Sequence, residues 1–237
     1  MDLKETNILG ADIEQHWYYS SKAKAIMSLL EGNIPVKILD IGAGSGFFSH
    51  HILGNTSAQE AWCVDISYDA DSDENKSGKR VHYRRTINAI DADLVLVMDL
   101  LEHVDNDVAL LKEYMNKVPH GSRFIITVPA FKFLWSGHDE FLEHKRRYTL
   151  KELEAAVGNA GLEVKLGGYY FGMVFPIAAT IRLIQKVIVD SKSPRSQMTR
   201  HHHVVNIFMK ILCNIELHFM RFNKIAGLTV FCVAKKV

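Results

Sequence analysis

The sequence predicts a single α/β domain built on an open, doubly wound sheet, and three observations carry that expectation. Short, continuously apolar runs alternate with helix-like segments along the chain, as in a sheet with helices on both faces. A glycine-rich turn joins one of these runs to a helix start. The 237 residues, 48% hydrophobic and 23% charged with 15 Gly and 5 Pro, suit one ordinary core and exclude disordered, collagen-like and coiled-coil chains.

The elements follow in order. A helix is expected over about 14–30. Seven strand candidates follow: VKILDI (36–41), AWCVD (61–65), VHYRR (81–85), DLVLVM (93–98), SRFIITV (122–128), a run near 162–170 and GLTVFCVAKK (227–236). Runs that stay apolar suit strands buried on both faces of a parallel sheet. Helix candidates fall near 46–54, 105–117 and 149–160, the last with Thr149 as N-cap, Glu152 three residues on and Gly161 past its end. Two apolar helix candidates, 172–189 and 203–223, are separated by the polar, basic link DSKSPRSQMTRHHH and form an insertion between the sixth and seventh strands. The expected organisation is one domain over 1–237. It comprises an N-terminal helical segment (1–35), a core (36–170 with 225–237) and a helical insertion (171–224).

The formal net charge of +1 gives no reason to expect a nucleic-acid partner, but it conceals an asymmetry. Residues 1–165 hold 18 Lys/Arg against 25 Asp/Glu, a net of −7, and residues 166–237 hold 10 against 2, a net of +8. Cys63, Cys213 and Cys232 are an odd number without CxxC spacing, which fits a reducing compartment. The N-terminus has no basic region followed by an apolar core, and Phe171 to Val189 is interrupted by Pro176, Arg182, Gln185 and Lys186. Neither a secretory signal nor a membrane span is expected, which points to the cytoplasm and leaves open a peripheral position at the inner membrane face.

The segment ILDIGAGSGFFSHHI places Gly42, Gly44 and Gly46 between a buried strand and a helix start, where the backbone turns tightly and amides face a ligand. Asp40 ends the strand. Asp65 ends the next strand 19 residues beyond Gly46, where a carboxylate can accept from both hydroxyls of a ribose. The dinucleotide fingerprint GxGxxG is the competing pattern, and here the third glycine comes one residue early.

At these residues the sequence resembles the class I S-adenosylmethionine (SAM)-dependent methyltransferases. EQHWYYSSKAKAI resembles the HWW-type aromatic segment found before the glycine loop in one bacterial branch. MDLLEHVDND (98–107) resembles that superfamily's motif after strand four, and VPAFKFLWSGHDEFLEHKRRYTLKELEAAVGNAGLEV (128–164) its stretch from strand five to strand six. The resemblance implies a Rossmann-like seven-stranded sheet with the last strand antiparallel. It implies SAM as cofactor, with Asp40, Gly42, Gly44 and Gly46 near its methionine part and Asp65 on its ribose; Ile66, Met98 and Tyr18 complete the candidate cofactor set. Two departures stand out: ISYDADSDENKSGK leaves the second crossover helix short or missing, and RRTINAI replaces the acid expected beside the adenine.

Methyl transfer from a sulfonium is an in-line displacement, so the protein must align acceptor and methyl and, for a hydroxyl, remove a proton. His103 is the first candidate base because an imidazole titrates near neutrality. The DxxEH of Asp99, Glu102 and His103 also resembles the ExxEH metal site of ubiquinone-pathway O-methyltransferases, which implies Mg2+; a cap on the following helix is the structural alternative. His138 and Asp139 are candidates to orient or deprotonate the acceptor. Trp135, His144, Arg147 and Tyr148 are candidate acceptor contacts, with Arg146 beside them, and ion pairs of this cluster with Glu140 and Glu143 are the bland alternative. Trp17, Tyr18 and Tyr19 either close over the ligands or simply pack.

On the second insertion helix Asn206, Lys210, Asn214, His218 and Arg221 recur at steps of four or three, and nearly everything else is apolar. So narrow a polar stripe leaves surface for its sister helix, a second subunit, a hydrophobic substrate or a membrane. The leading expectation is methylation of an oxygen on an apolar or aromatic acceptor, hydroxyaryl or lipid-like. The alternatives are a lipid-linked or glycan substrate, or a SAM-binding accessory protein without chemistry.

Overall fold

The computed structural model describes residues 10–76, 78–188 and 203–237. Residues 1–9 of the N-terminal segment and most of the basic link, with His201 and His202, lie outside them. The helices are α1 (Trp17–Leu29), α2 (Phe47–Asn55), α3 (Asp107–Asn116), α4 (Gly137–Phe141), α5 (Leu150–Asn159), α6 (Phe175–Ile188) and α7 (His203–Leu217). The strands are β1 (Lys37–Ile41), β2 (Glu60–Val64), β3 (Ser72–Lys76), β4 (Lys79–Arg84), β5 (Leu94–Met98), β6 (Arg123–Pro129), β7 (Leu162–Tyr170) and β8 (Thr229–Lys236). Among the described residues no helix is long and apolar enough to cross a membrane.

The strands form one sheet in the order β3-β4-β2-β1-β5-β6-β8-β7. β4, β2, β1, β5 and β6 are parallel, and β8 is antiparallel to both β6 and β7. Successive residues of a strand face opposite sides. Leu94, Leu96 and Met98 therefore enter a core under α1 and α2, while Val95 and Val97 enter a second core under α3 and α5. Both faces of β5 are covered, which is why its sequence shows no polar alternation. The helix over 149–160 is realised as α5, with the capping box between Thr149 and Glu152 in place.

The sheet has eight strands, a correction to the seven expected. The extra strand, β3, lies in the polar segment after Asp65 and pairs antiparallel with β4 across a turn at Gly78 (φ +77°). SDENK offers no apolar stripe with which a crossover helix could cover the sheet, so the segment forms a fully exposed edge. Its acids meet basic partners on β4: Asp73 lies 2.6 Å from His82 Nδ1 and 2.7 Å from Arg84 Nη2. A charged edge of this kind resists further strand pairing.

The insertion lies between β7 and β8. Its second helix ends at Leu217, short of the expected 223, and passes into a 3-10 turn at Met220–Phe222. Asn206, Asn214 and Arg221 of the expected polar stripe turn inward along the N-terminal segment, while His218 stays exposed. Asn206 Oδ1 accepts from Trp17 N at 2.8 Å, its Nδ2 donates to Gln15 O at 2.8 Å, and Asn214 Oδ1 accepts from Lys24 Nζ at 2.9 Å. Arg221 pairs with Glu31. The three cysteines are buried and unbridged.

Candidate functional site

The order of the sheet reverses between β1 and β5, each parallel and each leading to a helix on its own side, so a crevice opens beyond their carboxyl ends. β1 runs into the glycine loop, where Gly42, Gly44 and Gly46 take φ values of +66°, +55° and +72°. A Cβ on Gly42 would stand 2.7 Å from Leu100 Cδ1, a side-chain tip that can give way, so the left-handed backbone rather than lack of space is what favours glycine here. The loop is pinned to β2 by Gly42 N donating to Val64 O at 2.8 Å.

Asp65, at the end of β2, reaches back to the loop: Oδ2 accepts from Gly44 N at 2.9 Å, and Oδ1 accepts from Ser67 N at 3.0 Å and Ser67 Oγ at 2.5 Å. Tyr68 closes the same turn, its hydroxyl donating to Gly44 O at 2.6 Å. Ile66, between them, is 80% exposed, a bare apolar side chain at the edge of the cradle. Asp40 is buried beneath the loop, accepts from Ser49 Oγ at 2.8 Å, and is pushed up to about 6 by burial.

β5 supplies the second wall. Met98 is buried, and Asp99 follows with a positive φ of +49°. Asp99 Oδ2 pairs with the buried Lys22 and lies 3.4 Å from Tyr18 OH, and Oδ1 accepts from Thr127 Oγ1 at 3.1 Å. Burial works against ionisation of Asp99, but the Lys22 ammonium holds its carboxyl below the usual range. Tyr18 stacks on Phe171 at 5.0 Å, and Trp17 meets the same ring edge-on at 5.6 Å. The aromatic segment of α1 is thereby joined to the end of β7.

One turn beyond Asp99, Leu101–His103 forms a 3-10 turn that carries Glu102 inward. Both carboxylate oxygens of Glu102 are buried without a hydrogen-bond partner, and burial, reinforced by Asp99, pushes the group well above the usual carboxylate range. Lys145 N donates to Glu102 O at 2.7 Å, which lays the 142–148 segment against this turn. His144 and His103 consequently meet edge to face, ring centroids 4.8 Å apart, and one ligand-type atom from each of Glu102, His103 and His144 lies within 4.8 Å of the others.

Behind them sits Asp139, fully buried. It caps α4 by accepting from Ser136 N at 2.8 Å, holds His144 Nδ1 at 2.9 Å, and takes Arg147 Nε at 2.6 Å. Burial opposes ionisation here too, but the hydrogen bond from His144 and the Arg147 guanidinium hold the carboxyl well below its usual range. The ion pairs foreseen with Glu140 and Glu143 are replaced, for His144 and Arg147, by this buried one. Arg146 reaches Asp107 instead, 3.5 Å away.

The structure thus brings Glu102, His103, His144 and Asp139 together, and separately Tyr18 with Asp99. It leaves other expected site residues apart. Tyr148 is a core residue whose hydroxyl donates to Asp107 at 2.8 Å, and Trp135 Nε1 donates to Glu140 at 2.7 Å. Arg147 spends its guanidinium on Asp139 and Ala130 O, and His138 is buried in α4. The expected metal set of Asp99, Glu102 and His103 is corrected: Asp99 ends a strand and is taken up by Lys22 and Thr127, while His144 joins the other two. Sequence reasoning missed Lys22, whose only signal is its place one helical turn after Tyr18. It also missed Thr127 and Tyr68.

A family model described as a methyltransferase domain matches residues 15–166, from the start of α1 through the glycine loop and both acidic clusters into β7. The chain belongs to this methyltransferase family. Solved structures agree at the level of fold. A SAM-dependent methyltransferase from Thermotoga maritima is 16% identical, with TM-score 0.57 over 99% of this chain and 98% of that one. Another from Archaeoglobus fulgidus is 16% identical, with TM-score 0.53 over 99% and 98%. Phosphoethanolamine N-methyltransferase 2 of Haemonchus contortus, solved with SAM, is 13% identical, with TM-score 0.57 over 99% of this chain and 56% of that one. No curated protein sequence matches the chain.

The methyltransferase fold is therefore the class I, Rossmann-like one. The residues present fit its methyl donor: a three-glycine cradle with left-handed backbone, a strand-end carboxylate over it and an exposed apolar side chain beside that carboxylate. They do not fit Mg2+. A hard cation takes oxygen ligands, and the cluster offers two imidazoles and a single carboxyl.

Proposed function

We propose that this methyltransferase transfers the methyl group of SAM to an oxygen of an apolar or aromatic small-molecule acceptor, hydroxyaryl or lipid-like, with His103 as the base. The observation that carries the reading is the imidazole pair one turn beyond β5, with His144 tied to buried Asp139 and packed edge-on against His103.

SAM supplies an electrophilic methyl when bound; the remaining tasks fall to the chain. Asp65 and the glycine loop hold the donor, and Ile66 covers it from the open side. His103 accepts the proton of the acceptor hydroxyl as the oxygen attacks, a step worth roughly 10²–10⁴ in rate. Asp139 fixes the ring of His144, and that ring sets the orientation of His103, so His144 and Asp139 are positioning residues. Trp17 and Tyr18, joined to Phe171, keep water from the donor side. The HWW-type likeness of the segment around His16 accords with that covering role.

Calorimetry with SAM and S-adenosylhomocysteine tests the donor site. Incubation with methyl-labelled SAM and a panel of hydroxyaryl acceptors, with and without chelator, tests the chemistry. Labelled methyl ethers formed equally in both conditions are the expected result. Absence of SAM binding overturns the reading, and SAM binding with no transfer to any acceptor or extract identifies an accessory protein.

A further inference from the structure

Both insertion helices are turned inside out relative to an ordinary surface helix, which buries its apolar stripe and exposes its polar one. On α7 the side chains directed at the protein include Asn206 and Asn214, bonded to α1, together with buried Cys213 and Glu216. Val204, Phe208 and Ile211, a stripe at i, i+4 and i+7, are 51–65% exposed. On α6 the charged Arg182 is directed inward to Leu134 O, while Ile177, Ile181 and Ile184, again at i, i+4 and i+7, are half exposed. The turn after α7 continues the pattern with Phe222, 81% exposed. Apolar stripes exposed on successive helices are the kind of surface that takes a partner.

We infer that these outward faces of α6 and α7 dock on an anionic lipid surface. Charge selects that occupant. Residues 171–224 contain two acids, Asp190 and Glu216, and Glu216 is buried, where it accepts from Gly172 N at 2.6 Å and Met173 N at 3.1 Å. The link between the helices holds Lys192, Arg195, Arg200 and three histidines, and residues 171–224 together carry eight Lys/Arg, a net of +6. A two-fold contact between copies would set this like-charged region against itself. Anionic headgroups complement that net charge instead, and apolar helix faces in a basic segment are a composition that suits a bilayer interface. α6, 14 residues and about 21 Å long, is too short to cross, so its place is along the surface. The docking is independent of the methyl-transfer chemistry, since neither helix carries a residue of that mechanism.

The test is flotation of the full chain with vesicles of phosphatidylcholine containing a third phosphatidylglycerol, at low and high salt. Sedimentation of the free protein and the double variant Phe208→Ser/Ile211→Ser accompany it. The expected result is co-flotation that weakens with salt and falls at least ten-fold in the variant, whose melting curve and SAM binding stay unchanged. Failure to float overturns the inference, as does flotation that the variant leaves intact. A concentration-dependent dimer that dissociates in the variant, without flotation, overturns it in favour of a second copy of the chain.

Discussion

Asp139 and Arg147 form a bidentate pair inside the protein, with Arg147 Nε 2.6 Å and Nη2 3.1 Å from the two carboxylate oxygens. Both side chains are almost fully buried. The same carboxylate orients His144, so one buried charge serves both the stability of the loop and the geometry of the site. Asp139→Asn leaves the guanidinium without its counter-charge, and a loss of about 3–5 kcal/mol in urea unfolding is expected. The sign with pH follows from the lowered carboxyl. Its stabilisation is present above the unfolded value near 4 and is lost as pH falls further, so the variant should lose less than the wild type on acidification.

Asp40 has the opposite sign. Burial raises its carboxyl to about 6, so the folded state holds a proton that the unfolded state releases, and stability falls as pH rises from about 4 to 6. Asp40→Asn should therefore be more stable than wild type at pH 7, by up to about 3 kcal/mol, with the difference vanishing toward pH 4. Urea unfolding at the two pH values measures it.

Asp65→Ala removes the acceptor of Gly44 N and the group expected on the ribose. Hydrogen bonds to a charged group contribute about 1.5–3 kcal/mol each, so the Kd for SAM should rise roughly ten- to hundred-fold in calorimetry. An unchanged Kd removes the ribose assignment.

His103→Ala should lower kcat by about 10²–10⁴ while SAM affinity stays within about two-fold, because the ring lies beyond the donor cradle. His144→Ala should lower kcat less and displace the acid limb of the pH profile, as expected of a group acting through its neighbour. Single-turnover rates against pH separate the two roles.

The parts of this site that were legible in the sequence are those whose geometry is set within a few residues. Gly42, Gly44 and Gly46 require left-handed backbone wherever they stand, and Asp65 ends an apolar run that can only be a buried strand. The capping box of Thr149 and Glu152 is likewise a local bond. Lys22 and Asp99 are 77 positions apart, and nothing near either one announces their pairing. The DxxEH spacing suggested a shared metal, but Asp99 ends a strand whereas Glu102 and His103 ride on the following turn, so three neighbours in sequence diverge in space. His144 reaches His103 only because Lys145 N bonds back to Glu102 O.

By itself the sequence determined the doubly wound class, the left-handed glycine loop between strand and helix and the unusual apolar content of the insertion, because burial pattern, glycine conformation and composition are properties of short segments. Tertiary structure decided the eighth strand, the buried Asp139–Arg147–His144 unit and the direction of the α7 stripe. That stripe reads as solvent-facing on a helical wheel, yet the N-terminal segment offers Gln15 O, Trp17 N and Lys24 as partners for its two asparagines. Which way a two-sided helix turns depends on the surface it meets, and that surface lies almost two hundred residues away in the chain.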